Sequence, residues 1–174
     1  TYVQAVDQTI SLINELKENG NFSESNSFPR NMVHQLLALS LSKLSNTNNR
    51  VNEASMNFTK WASNQDKSLL NEIVQFTLKP SQKQGTPLLN KNKLDLLNSL
   101  IEKNEHALIN KINIKDIMQF ILKSLESPNK DVRGKAVELY VTCYSYYGTK
   151  TEKFIEDLPK AIKNELLTAA GVSA

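Results

Sequence analysis

The sequence predicts an all-α fold arranged as a short solenoid of antiparallel helical pairs. Three observations predict it: apolar residues recur at three- and four-residue spacing in successive blocks, Gly and Pro are scarce, and the pattern around one Asn-rich turn returns later in the chain. With five Gly and five Pro in 174 residues, the chain lacks the punctuation that short, turn-linked strands need. No segment alternates as a half-buried strand would. The length falls in the range of roughly 100 to 200 residues usual for one domain, enough to bury a core without metals or disulfides.

The first block, about 2–18, carries Tyr2, Val3, Val6, Ile10, Ile13 and Leu16. It opens inside a helical pattern rather than on a Met, which is expected of an excerpt from a longer protein. The second, about 31–45, follows Pro29 and gathers Val33, Leu36, Leu37, Leu41 and Leu44 on one face; Asn46-Thr47-Asn48-Asn49 ends it with helix-capping chemistry. The third covers about 50–64. The fourth and fifth, about 68–79 and 91–103, flank a Gln- and Pro-containing loop at 80–90. The sixth, about 114–126, groups Ile114, Ile117, Met118, Ile121 and Leu125 and stops at Ser127-Pro128-Asn129-Lys130-Asp131. The seventh and eighth run about 131–147 and 159–170. The expected organisation is one domain over 1–174: a leading helix and loop at 1–30, repeats over 31–160 and a capping helix over 159–174. Most connections are short, so sequential helices should be antiparallel; 19–29 and 80–90 are the longer, more polar loops.

Repetition separates an array from a closed bundle. Leu44 to Val51 spans the first Asn-rich turn as Leu125 to Val132 spans the second. Holding that register places Val33 on Ile114, Leu36 on Ile117, Leu41 on Leu122, Asn48 on Asn129, Ser55 on Ala136 and Phe58 on Leu139. The offset is 81 residues, two units of the about 40–47 residues typical of HEAT and armadillo repeats. Each pair would bury one stripe within itself and another on its neighbour, with the turns inside the pairs lined up along one edge.

Composition excludes several functions. One cysteine forms no internal disulfide, and no apolar run approaches the about 20 residues of a membrane span or the pattern of a signal peptide, so a reducing, cytoplasmic setting is expected. Asn21-Phe22-Ser23 and Asn57-Phe58-Thr59 have the glycosylation spacing, as chance provides in an Asn-rich chain. The net charge of +3 rests on lysine, with Arg30, Arg50 and Arg133 the only arginines; this suits an acidic protein partner better than nucleic acid. No catalytic set forms. His34 and His106 stand apart from any metal-ligand spacing, Cys143 shares the apolar side of its helix with Ala136, Leu139, Tyr140 and Tyr147, and Gly85-Thr86-Pro87 lacks the phosphate-loop spacing. A non-enzymatic chain without cofactors or metals is expected. Tyr140, Tyr144 and Tyr147 share a face and should pack the last repeats, leaving Tyr146 as the surface aromatic.

The C-terminal run Asn129-Lys130-Asp131-Val132-Arg133-Gly134-Lys135-Ala136-Val137-Glu138-Leu139, then Tyr144-Ser145-Tyr146-Tyr147-Gly148 and Phe154-Ile155-Glu156-Asp157-Leu158-Pro159, resembles the last repeat of TOG domains, the tubulin-binding HEAT arrays of microtubule regulators. Leu44 to Ala54 resembles an earlier turn of the same kind, and Lys93-Leu94-Asp95-Leu96-Leu97 and Ile117-Met118-Gln119-Phe120 extend the likeness, which covers about 31–160. Within the family it is greatest to a member of the centrosome and ciliary tip. The resemblance implies a monomeric HEAT-repeat domain that binds αβ-tubulin or the microtubule end, in the cytoskeleton at a ciliary tip, centrosome or basal body, beside other proteins of those structures. It implies no nucleic-acid or membrane partner. The chain departs from the family in holding about four repeat units where a full array has about six, and in having no Trp in a turn: Trp61 falls within a helix and reads as packing.

The turns supply the candidate partner-binding residues: Asn48, Asn49 and Arg50 at the first, Lys83, Lys91 and Lys93 at the 80–90 turn, and Asn129, Lys130 and Arg133 at the last. Part of this set is expected to be structural, since Asn caps helices and Asp131 or Arg133 could ladder to a neighbouring repeat. The rival expectation is a HEAT scaffold that takes a helix or peptide of a non-tubulin protein in an apolar groove; a nucleic-acid-binding array is a third reading, disfavoured by the few arginines.

Overall fold

A computed structural model describes residues 1–19, 27–79, 86–109 and 112–172, with the side chains of 27–30 and 104–109 left aside. Among the described residues the regular elements are all helical: α1 Tyr2–Glu18, α2 Ser27–Lys43, α3 Asn49–Ala62, α4 Lys67–Leu78, α5 Pro87–Ile109, α6 Ile114–Leu125, α7 Lys130–Tyr147, a 3-10 segment Gly148–Phe154, and α8 Lys160–Ala169. The chain divides into two compact units, Thr1–Phe76 and Thr77–Ala174.

In the first unit α2 packs on α3, and α1 lies along both. The contacts of α1 with α3 and the turn that follows it advance together along the chain: Tyr2 meets Ser55, Asn14 meets Trp61 and, just past the end of α3, Lys17 meets Gln65. The two helices are therefore parallel, as the corresponding helices of successive repeats should be. Their shared core is Val6, Ile13, Leu37, Leu44, Phe58 and Ala62, each essentially closed to solvent. Removing a side chain of this size from water contributes about 1.5–3 kcal/mol, and this burial holds the helices together. A polar seam crosses the core where the Tyr2 hydroxyl lies 2.9 Å from both Ser40 and Ser55 Oγ, while each serine bonds back to a carbonyl one turn earlier in its own helix.

In the second unit α5 packs on α7, and α6 on α7. Lys91 pairs with Asp131 at 3.5 Å and Asp95 with Lys135 at 3.3 Å, one turn further along both helices, so α5 and α7 are parallel. Leu94, Leu97 and Ile101 of α5, Ile117, Met118 and Ile121 of α6, and Ala136, Leu139 and Tyr140 of α7 fill the core. Gly148 stops α7 at φ 57, a sign of φ that residues with a Cβ avoid. The chain then tightens into the 3-10 segment, which the apolar spacing does not announce: it is held by polar groups, with Tyr144 Oη donating to Glu152 at 2.9 Å and Thr151 Oγ1 to the Gly148 carbonyl at 2.9 Å.

Boundaries shift where proline was expected to precede a helix. Pro29 lies in the first turn of α2, and Pro87 opens α5 with Thr86 Oγ1 accepting from the Leu89 amide at 3.2 Å; a missing N–H costs nothing in a first turn. Consequently α5 starts earlier than 91, and Lys91 and Lys93 stand on a helix rather than in a turn; α5 also runs on past 103 to Ile109. Most of the two expected loops, 20–26 and 80–85, and with them Lys83 and the Asn21 triplet, lie outside the described residues.

Candidate functional site

The two Asn-rich turns are built alike. Asn48 and Asn129 are the N-caps of α3 and α7, with φ,ψ of −74°,111° and −81°,121°. Asn48 Oδ1 accepts from the amides of Arg50 and Val51 at 3.1 and 3.4 Å; Asn129 Oδ1 accepts from those of Asp131 and Val132 at 2.9 and 3.2 Å. Such caps satisfy amides that the helix itself leaves unpaired. Two residues earlier, Asn46 Oδ1 accepts from the Asn48 amide at 2.9 Å, and Ser127 Oγ from the Asn129 amide at 3.3 Å.

A third fastening closes each turn from the helix that follows. Asn52 Nδ2 donates to the carbonyls of Leu44 and Asn46 at 3.0 and 3.3 Å. Arg133 Nη1 donates to those of Ser127 and Pro128 at 2.8 and 3.0 Å. In the register of 81 residues, Asn52 stands on Arg133 and Asn46 on Ser127, so different side chains serve the same carbonyl. Neither Asn46 nor Asn52 is among the candidates read from sequence; the register itself was the signal, once Arg133 is seen turned inward rather than laddering to a neighbouring repeat.

The nine candidates therefore separate. Asn48, Asn129 and Arg133 have their side chains engaged in the turns. Lys91 pairs with Asp131, so Asp131 is the residue that ladders between repeats. Lys93 departs from the expected basic edge: it is 4% exposed, and its ammonium donates to the Lys79 carbonyl just beyond α4 at 3.0 Å. Burial, and then the charge of Lys79, hold its pKa below the usual lysine value. Its register explains this, because Leu96, Leu97 and Leu100, three, four and seven residues on, are all buried and share its face. Lys83 lies outside the described residues.

Asn49, Arg50 and Lys130 remain. All three are exposed, and no side-chain hydrogen bond or ion pair engages them among the described residues. Asn49 and Lys130 are the first residues of α3 and α7, and Arg50 is the second of α3. Arg50 and Lys130 thus place positive charge at the positive end of a helix dipole, an arrangement that costs about 0.3–1 kcal/mol where nothing offsets it.

Among the described residues the other chemistry-bearing side chains are buried or have partners within the fold. Cys143 is 1% exposed and burial pushes its pKa up to about 12. His34 Nδ1 faces Glu72 Oε2 at 3.2 Å; the side chain of His106 is outside the described set. Trp61 packs against Phe58 with ring centroids 5.4 Å apart and reaches Asn14 at 3.4 Å, as a packing residue should. Tyr140 is closed to solvent, while Tyr144, Tyr146 and Tyr147 are half-buried. Phe58 and Thr59 of the second glycosylation-type triplet are buried. Among the described residues no His, Cys, Asp or Glu cluster could hold a metal, and no helix is long and apolar enough to cross a membrane.

No curated protein and no solved structure compared with the chain gives a significant match. The family model described as XMAP215/Dis1/CLASP, TOG domain, matches residues 2–169, a span that takes in α1 as well as the repeats at 31–160 on which the resemblance rested. TOG domains are HEAT-repeat solenoids without catalytic activity. Parallel α1 and α3, parallel α5 and α7, and two turns fastened alike are the local signs of such repeats, and with a match over nearly the whole sequence the chain belongs to the TOG-domain family of XMAP215, Dis1 and CLASP.

Proposed function

We propose that this domain binds the αβ-tubulin heterodimer through the starts of α3 and α7, with Asn49, Arg50 and Lys130 as contacts. The observation that carries the reading is that Arg50 and Lys130 are exposed, unpaired and electrostatically misplaced at helix N-termini. The first turn of α3 holds no acid to offset Arg50, and the one acid in the first turn of α7, Asp131, is paired with Lys91; a local rule broken in this way points to a compensating charge outside the fold. Family membership names the acidic partner, and lysine and arginine facing it would speed encounter while the turns set specificity. The finer placement, a microtubule regulator of the centrosome and ciliary tip, rests on the likeness of 31–160 to that branch and is tested by where the tagged full-length protein resides.

The test is a tubulin-binding titration of Arg50→Glu/Lys130→Glu at moderate salt beside its thermal melt. The expected result is an unchanged or slightly raised melt, because glutamate suits a helix start, with affinity lowered at least about tenfold, since opposed like charges cost several kcal/mol. Unchanged affinity with an unchanged melt would hand the lead to a scaffold that takes a peptide elsewhere.

A further inference from the structure

The contact reading leaves the inward-turned donors unexplained as binding residues. Asn52 and Arg133 occupy the same register, differ in size and charge, and still deliver an N–H to the carbonyl of equivalent residues, Asn46 and Ser127. In each turn that carbonyl belongs to the residue whose side chain holds the amide of the N-cap, and the N-cap in turn holds the amides beside the exposed positions. The chain of hydrogen bonds runs from residue 52 through 46 and 48 to the Arg50 amide, and from 133 through 127 and 129 to the Asp131 amide, next to Lys130. Each link is local, so each turn is aimed by its own helix.

The geometry points to Asn52 and Arg133 as positioning residues that fix the direction in which Asn49, Arg50 and Lys130 leave their helix starts. This rests on the tubulin reading above. Asn52 is the diagnostic residue of the two. It is neutral, so replacing it alters no charge, and any loss of affinity for an acidic partner is a loss of geometry. Alanine is also the better helix former, which protects α3 from melting.

The experiment uses the full chain as wild type, Asn52→Ala and Asn52→Gln, with purified αβ-tubulin as probe. Amide hydrogen exchange is followed at Asn48, Arg50 and Val51. Asn52→Ala is expected to exchange faster at those amides and to lose about three- to tenfold in affinity, the worth of one or two ordinary hydrogen bonds, with a melt close to wild type. Asn52→Gln, intermediate in reach between asparagine and arginine, restores both. Unchanged exchange would overturn the fastening, and faster exchange with full affinity would overturn the positioning role while leaving the contact reading standing. A steep fall in the melt of Asn52→Ala would make Asn52 a fold-holding residue and overturn the inference as well. If wild type itself fails to bind tubulin, the tubulin reading falls and takes the positioning role with it, an outcome distinct from a variant that binds as well as wild type.

Discussion

The Cys143 thiol has Ala136, Leu139 and Tyr140 for buried helical neighbours, and burial pushes its pKa up to about 12. Labelling by a thiol reagent under native conditions should follow unfolding rather than direct attack, and fast labelling would place the residue elsewhere. The same burial has a pH signature. Above the unfolded value the denatured chain ionises while the folded thiol keeps its proton, so stability falls as pH rises, by up to about 1.4 kcal/mol per unit above about pH 9. Denaturation titrations at about pH 8 and about pH 10.5 should differ less for Cys143→Ala than for wild type. Lys93 is a second residue-scale case. Lys93→Met gives up the bond to the Lys79 carbonyl but removes a desolvated charge, and should stay within about 1 kcal/mol of wild type. Lys93→Glu buries an anion against a carbonyl and should cost more than about 3 kcal/mol by urea denaturation, unlike reversal at Arg50 or Lys130. The N-caps Asn48 and Asn129 were legible in the sequence because capping is local chemistry. Lys93 was misplaced because it was assigned by nearness to a polar loop, although leucines three, four and seven residues on marked its buried face.

Among the elements, the helices of each unit are joined by polar contacts of different worth. The Tyr2, Ser40 and Ser55 hydroxyls hold three hydrogens between them, but Tyr2 approaches both serines while each serine also approaches a helix carbonyl. One of the four contacts always lacks a proton, so the seam is less stabilising than its distances suggest. Tyr2→Phe should cost about 1 kcal/mol, and a melt lowered by several degrees would show it. Between α5 and α7, Asp95–Lys135 is the more enclosed pair and Lys91–Asp131 the more open. The hydrogen bond of Lys135 to Glu138, foremost, raises its pKa. A double-mutant cycle should find a larger coupling for Asp95–Lys135, both within the about 0.2–1 kcal/mol of surface pairs. Helix existence was legible from apolar spacing throughout; helix starts at Ser27 and Pro87 were not, since proline reads as a breaker in sequence yet fits a first turn. The 3-10 segment escaped for a related reason: polar bonds rather than an apolar period hold it.

On the scale of the whole chain, charge is divided unevenly. Thr1–Phe76 carries six Lys and Arg against seven Asp and Glu, and Thr77–Ala174 fifteen against eleven, so the net +3 combines −1 with +4. Encounter with an acidic partner should be steered chiefly by the second unit. Lys130→Gln should slow association with tubulin more than Arg50→Gln at about 0.05 M salt, and the difference should vanish by about 0.5 M as screening shortens the reach of the field. Stopped-flow association rates at the two salt concentrations would decide it. The repeat offset of 81 residues was legible because buried positions recur with it: Phe58 and Leu139, and Ser55 and Ala136, are all closed to solvent. The division into two compact units was not, because no composition change marks Phe76 inside α4. The matched turns also bear on how such a chain can change over generations. Residues 46–52 and 127–133 each contain their own cap, their own amide acceptor and their own closing donor. Exchange of one for the other would carry its cap, amide acceptor and closing donor with it and change the helix start from Asn-Arg to Lys-Asp or the reverse, the loss of Asp131 as the partner of Lys91 being the cost at the second turn. Drift there can explore new partners one cassette at a time, while the helices behind it keep their inheritance.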